Sequence, residues 1–154
     1  MAQIDIVVGS VYGAAFLVAQ TLMASLEGQG HECRLHEEAR LEDIDIGRFL
    51  LLVSATTGQG DIPPNLAPFA ADLRERAPYM KGLNYALIAM GDSSYEHFCG
   101  AGRQLDTLLQ ELGAHALLPR LEIDATQVDE PEVMALAWLA EWQERLSSAP
   151  GEHH

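Results

Sequence analysis

Apolar residues follow two rhythms along this chain. Short, nearly continuous runs, Ile4 to Val8, Phe49 to Val53 and Tyr85 to Met90, alternate with longer stretches in which apolar positions recur every three or four residues. The first rhythm suits a parallel strand covered on both faces, the second the buried face of an amphipathic helix. Ile4-Asp5-Ile6-Val7-Val8-Gly9 thus predicts a strand, and Ala15, Ala19, Leu22 and Leu26, spaced by four, three and four, predict a helix over about 14–26. Gly28 and Gly30 stop that helix, and Cys33 to His36 predicts a second, less buried strand before an acidic link from Glu37 to Asp45. Phe49 to Val53 and Tyr85 to Met90 predict central strands. Between them Pro63-Pro64 opens a helix from Asn65 to Arg76, with Leu66, Phe69 and Leu73 on one face. A helix over Gly100 to Leu112, a fifth strand over His115 to Ile123 and a helix from Glu132 to Leu146 complete the order.

Strictly alternating strands and helices predict an α/β domain: a doubly wound sheet of five parallel strands with helices on both faces. The 154 residues, 48% of them apolar, suffice to bury a core without disulfides or a structural metal. We expect one domain over 1–148 and a disordered tail over 149–154, where Gly151-Glu152-His153-His154 carries no structural signal. Cys33 and Cys99 read as reduced thiols. Trp138 and Trp142 lie on a regular helical stripe, which favours packing over cofactor stacking.

Charge narrows the class of partner. Twenty-three acidic side chains face nine basic ones, Lys81 is the single lysine, and the formal net charge is -14. Such a surface repels nucleic acid and anionic lipid; it suits a basic protein partner, or serves solubility alone, and charge by itself does not decide between the two. No apolar run is long enough for a membrane span and the N-terminus has no signal-peptide pattern, so a cytoplasmic location is expected. We also expect a monomer.

In a doubly wound sheet the ligand lies beyond the carboxyl ends of the strands, where strand order reverses. Three loops fall there. Gly9-Ser10-Val11-Tyr12-Gly13-Ala14-Ala15 joins a strand to a helix N-terminus with small residues that let backbone N–H groups wrap a phosphate, although any tight turn there also needs glycine. Ser54-Ala55-Thr56-Thr57-Gly58-Gln59-Gly60-Asp61 supplies hydroxyls and two glycines. Gly91-Asp92-Ser93-Ser94-Tyr95-Glu96-His97-Phe98-Cys99 supplies two aromatics beside polar groups. A phosphate cradle, a polar glycine loop and an aromatic loop on one edge fit a phosphorylated planar ligand, flavin mononucleotide (FMN).

These three segments resemble the FMN loops of flavodoxins, in particular short MioC/YqcA-type flavodoxins and the flavodoxin-like domains of cytochrome P450 reductase and sulfite reductase. The resemblance covers nearly the whole chain, and the third motif is the most specific. It implies strand order 2-1-3-4-5 and a non-covalent FMN carrier of single electrons, working between a reductase of the ferredoxin/flavodoxin-NADP type and an acceptor redox enzyme. It implies that Ser10, Val11, Tyr12, Gly13, Ala14 and Ala15 hold the phosphate. Ala55, Thr56, Thr57, Gly58, Gly60 and Asp61, with Gly91, Asp92, Ser93, Tyr95, Phe98 and Cys99, would bracket the isoalloxazine ring, with Asp124 nearby. Tyr95 would stack on the outer face of the ring, and the backbone around Thr57 and Gly58 would face flavin N5 and rearrange on reduction. Acidic neighbours such as Asp61, Asp92, Glu96 and Asp124 would disfavour the fully reduced, anionic flavin and lower its potential.

The chain departs from the pattern twice. Tyr12 and Ala15 stand where many flavodoxins carry serine or threonine, which predicts two fewer charge-assisted bonds to the phosphate and weaker binding. Thr57 stands where relatives often supply an aromatic or methionine, which predicts one-sided stacking. The chain also lacks the fifth-strand insertion of long-chain flavodoxins.

Two other classes compete. A flavin enzyme of the NAD(P)H-quinone reductase type shares the fold but needs extra loops for a substrate pocket, and this chain has little length to spare. A phospho-acceptor receiver needs an acidic cluster after the first strand and an aspartate after the third, where this chain has Gly9-Ser10 and Ser54-Ala55. No metal-ligand spacing or nucleophile triad appears.

Overall fold

The computed structural model of this chain describes residues 2–11, 13–94 and 97–147. Strands β1 (Gln3–Gly9), β2 (Glu32–His36), β3 (Phe49–Ser54) and β4 (Asn84–Gly91) alternate with helices α1 (Ala14–Gly28), α2 (Ala67–Arg76) and α3 (Gly100–Glu111). Two short strands, β5 (His115–Ala116) and β6 (Leu121–Asp124), and helices α4 (Pro131–Trp142) and α5 (Glu144–Ser147) follow. All strand pairs are parallel, in the order β2-β1-β3-β4-β5, with β6 also on β4.

Alternation along the strands feeds two cores. Ile4, Ile6 and Val8 of β1 point to one face and pack with Ala15, Ala19, Leu22 and Leu26 of α1 and with Ala135 and Leu139 of α4. Val7 points to the other, with Phe69 and Leu73 of α2 and Leu105 and Leu109 of α3. Trp138 and Trp142 belong to the first core, edge to face at 5.0 Å between centroids, so the helical stripe they form is packing, as its spacing implied.

The fifth strand departs from the expected single run. Tyr85 pairs with Ala116 and Ile88 with Leu121, so residues 117–120 face only Ala86 and Leu87, and the ribbon is broken by a jog. Pro119, which has no N–H to give a ladder, lies in that jog. Arg120 leaves it to bridge Asp106 (2.8 Å) and Glu122 (2.9 Å), while Arg103 forks onto Glu122 at 2.8 and 2.9 Å. The last helix is interrupted only at Gln143, whose backbone stays helical at φ -58, ψ -28.

A buried charge interrupts the apolar run of β1. Asp5, fully buried on β1, receives Arg34 at 2.8 and 3.2 Å and lies 3.1 Å from His36 Nε2 and 3.4 Å from Arg48 Nε. Burial alone would raise its pKa; the bonds from Arg34 and His36 outweigh that and hold the carboxyl below its ordinary value. Among the described residues no helix is long and apolar enough to cross a membrane.

Candidate functional site at the carboxyl edge of the sheet

Strand order reverses between β1 and β3, and the register there is tight. Gly9 is level with Ser54, Ser54 with Ala89, and Gly91 with Asp124. The chain therefore leaves β1, β3, β4 and β6 side by side on one edge, and the loops that follow are neighbours.

The first loop turns on Ser10 and Gly13. Gly13 has φ +89 and donates its N–H to the Ser10 hydroxyl at 3.0 Å, which leaves the hydroxyl proton free to reach outward. Helix α1 begins directly behind it, with no side-chain cap and no acidic residue in its first turn. Helices α2 and α3 likewise begin without a side-chain cap or a first-turn acid, so what sets α1 apart is its place at the strand-order reversal. The positive end of a 15-residue helix is left unshielded, which is the arrangement that receives a phosphate. No lysine or arginine lies between Ser10 and Ala15, so among the described residues of this loop an anion would meet amides, the helix dipole and the Ser10 hydroxyl. Val11 and Ala14 are exposed, and Ala15 is buried, so what Ala15 can offer is its backbone. Tyr12 lies outside the described residues.

The second loop is a short closed arch. Thr57 and Asp61 form an isolated antiparallel bridge, N–H to carbonyl at 2.9 and 2.6 Å in the two directions, and the Thr57 hydroxyl adds a bond to the Asp61 carbonyl at 3.2 Å. Gly58 (φ +49) and Gly60 (φ +87) make the turn between them. Gly60 is also a contact point: a Cβ there would lie 2.6 Å from the His97 Cβ, and its carbonyl accepts Gln104 Nε2 at 2.6 Å. The Thr56 hydroxyl accepts the Ala101 N–H at 3.3 Å. The arch is thus braced on the start of α3. Ala55 is half-buried, its N–H bonded to the Gly9 carbonyl at 2.8 Å, and Asp61 is exposed.

The third loop is held by carboxylates. Asp92 accepts the N–H of Ser94 at 2.8 Å and also its hydroxyl. Asp124, at the end of β6, accepts the Ser93 N–H at 3.2 Å and the N–H and hydroxyl of Thr126 at 2.9 and 2.7 Å. Bonds from Ser93 and Thr126 pull the Asp124 pKa down to about 2, so it stays ionised and ties two loops together. Gly91 passes so close to Cys99 that a Cβ would meet the Cys99 nitrogen at 2.6 Å. Cys99 itself is buried, takes φ +54 at the start of α3 and points its thiol at the Ala89 carbonyl. Burial, with Glu122 nearby, pushes that thiol up to about 12, and its side chain belongs to the core behind the loop. Phe98 is half-buried, with the Arg103 guanidinium 5.6 Å from its ring centroid. Tyr95 and Glu96 lie outside the described residues.

One residue of this edge had no signal of its own in the sequence. Asn65, expected only as a helix start, precedes α2 and puts its side chain among β1, the link after β2 and the first loop. A surface cleft of about 520 Å³ lined by Asp106, Gln110, Pro119, Arg120 and Glu122 lies off these loops, and its one cation already bridges two of its acids.

The geometry thus offers an open helix N-terminus beside a pinned glycine arch and a polar loop tied at Ser93 and Ser94 by carboxylates. The flavodoxin family model matches residues 6–138. The chain belongs to the flavodoxin family. Flavodoxin YqcA of Pectobacterium carotovorum is 45% identical over 150 residues, 96% of this chain and 99% of that protein. Protein MioC of Escherichia coli K12 is 36% identical, with 92% of this chain and 97% of that protein covered. Among solved structures, a cysteine-to-serine mutant of a flavodoxin from Pseudomonas aeruginosa superposes with a TM-score of 0.86 at 37% identity, covering 94% of this chain and 99% of that one. The fold is that of a flavodoxin, strand order included, and the function is that of a flavodoxin, an electron carrier. Nothing in these likenesses favours the quinone-reductase alternative.

Proposed function

We propose that this flavodoxin binds one FMN non-covalently at the carboxyl edge of its sheet and passes single electrons from a reductase of the ferredoxin/flavodoxin-NADP type to an acceptor redox enzyme. The observation that carries the proposal is the bare N-terminus of α1, free of side-chain cap and first-turn acid, beside two loops at the strand-order reversal. The residues fit a phosphate monoester: amides of the first turn, the spare proton of Ser10 and a dipole with nothing to neutralise it.

In this reading Ser10 to Ala15 hold the phosphate, and residues 55–61 and 91–99 flank the ring, with Tyr95 stacked on its outer face. Bound FMN supplies the one-electron chemistry. The protein supplies a pinned frame: the Thr57–Asp61 bridge holds both ends of the arch, and His97 and Gln104 brace Gly60 within it. Glycine at 58 makes a reorientation toward N5 inexpensive, because positive φ carries no side-chain penalty there. Asp92 and Asp124 add negative charge near the ring, which disfavours its anionic reduced form. The acidic surface supplies docking for a basic partner, so electron transfer from such a reductase slows as salt rises through the submolar range.

The test is stepwise anaerobic reduction of the FMN-loaded protein, followed by absorbance. Two resolved one-electron steps support a carrier. A single two-electron reduction by NADPH with no other protein present would refute it.

A further inference from the structure

We infer that Asn65 is the positioning residue of the phosphate loop, an amide clamp that sets where the Ser10 backbone points before any ligand arrives. Its side chain makes three bonds to the main chain of two segments, the end of β1 with the loop that follows it and the link after β2. Nδ2 donates to the Val8 carbonyl at 2.9 Å, at the end of β1, and to the Glu37 carbonyl at 2.6 Å, in the link after β2. Oδ1 accepts the Ser10 N–H at 3.0 Å. The partners themselves fix the orientation of the amide, since two acceptors face its nitrogen and one donor its oxygen. Only a carboxamide of this length meets all three: an aspartate would turn an oxygen toward two carbonyl oxygens, and a serine cannot span them.

The surroundings are built to bring Asn65 there. Pro63 and Pro64 fix the chain just after the glycine arch, and the Pro63 carbonyl accepts both the Leu66 and Ala67 N–H groups at 2.9 Å, closing a turn that holds Asn65 in place. Leu66 then packs onto the end of β1 so closely that a Cβ on Gly9 would lie 2.7 Å from its Cδ2. The absence of a side chain at Gly9 is what lets the start of α2 approach the first loop. Asn65 therefore links the two loops that the flavin reading assigns to opposite ends of the ligand: it follows the arch that faces the ring and braces the turn that faces the phosphate. By engaging the Ser10 N–H it also removes one amide from the set that can reach the phosphate and fixes the direction of the next. With Tyr12 and Ala15 in place of hydroxyl residues, the loop relies more heavily on backbone direction, and so on this clamp.

The inference rests on the phosphate assignment, and the experiment separates the two. FMN and riboflavin, which differ only by the phosphate, are titrated by fluorescence quenching into flavin-free wild type and into Asn65→Leu, close in size to asparagine but uncharged and with neither donor nor acceptor. The clamp predicts that wild type prefers FMN and that Asn65→Leu loses about tenfold or more of its FMN affinity, the worth of one to two neutral hydrogen bonds, while riboflavin affinity moves less than about threefold. An equal loss for both flavins, or an unchanged preference, overturns the clamp while leaving the phosphate assignment intact. No preference for FMN in wild type overturns the assignment and the clamp with it. A second measurement needs no variant: in flavin-free wild type the Ser10 amide should exchange with solvent markedly more slowly than the Ala14 amide, and equal rates overturn the clamp.

Discussion

The loops after β1 and β4 sit on the same edge and treat their backbone N–H groups in opposite ways. In the loop after β4, N–H groups are answered by carboxylates: Asp92 takes that of Ser94, and Asp124 takes that of Ser93 together with that of Thr126 in the loop after β6. In the loop after β1, which leads into the longest helix, no carboxylate enters the first turn, and the internal ties use neutral groups, the Ser10 hydroxyl and the Asn65 amide. Carboxylates answer N–H groups elsewhere too, as Asp72 does for Leu41 and Asp45 for Gly47. The contrast teaches that at this edge carboxylates close the donors of one loop and are missing from the other. Under the proposed function the first would be the ring wall and the second the phosphate seat.

Four changes break or sharpen this contrast. The largest effect is expected from Gly60→Ala, which places a Cβ 2.6 Å from that of His97 at φ +87 and so dislodges the ring wall. It should cost about 1–3 kcal/mol of stability by denaturant titration and weaken FMN and riboflavin together. Ala14→Asp closes the open helix end with its own anion: FMN affinity should fall about tenfold or more, riboflavin should change little, and the protein should become more stable by about 0.3–1 kcal/mol. Opposite signs for stability and binding are the signature, and a parallel loss of both would count against an open phosphate seat. Tyr95→Ala should weaken both flavins equally, by about 0.5–1.5 kcal/mol, the scale of one aromatic contact; an effect confined to FMN would remove the stacking role.

The smallest effect concerns acid. Folding lowers the Asp124 pKa from the ordinary 3.8 to about 2, so its contribution is complete above the unfolded value and is lost as pH falls through the folded one. Asp72 and Glu122, also held near 2 by Arg40 and Arg103, add to the same window. Relief of the net negative charge pulls the other way for the whole protein, so the difference between wild type and Asp124→Asn isolates the local term. That difference should be constant from neutral pH to about 5 and shrink between about 4 and 2. A difference independent of pH would mean the carboxylate closes nothing.

Legibility in the sequence followed the physics of each part. The strands buried on both faces were legible because continuous apolar runs have few other uses, and the α1 and α2 faces because every residue named for them is buried. The fifth strand was misread as one run: apolar content continues through Leu117 and Leu118, and only Pro119 marks the jog. Asp5 shows the opposite limit, since a charge inside an apolar strand gives no sign in sequence that Arg34, His36 and Arg48 will converge on it from other segments. At the site, the three loops could be located because glycines and hydroxyls after a buried strand are conspicuous. The clamp could not, because Asn65 acts on residues 57, 55 and 28 positions away and looks, locally, like an ordinary helix start. The resemblance puts Cys99 in the ring loop, and its thiol faces the core.

The central claim is that the open N-terminus of α1 receives a phosphate joined to a planar ring. Calorimetric titration of the flavin-free protein with FMN and with riboflavin in one buffer tests it most directly. The account predicts one FMN per chain, bound at least about tenfold more tightly than riboflavin, a preference worth about 1.4 kcal/mol. Equal affinity for the two flavins would contradict it.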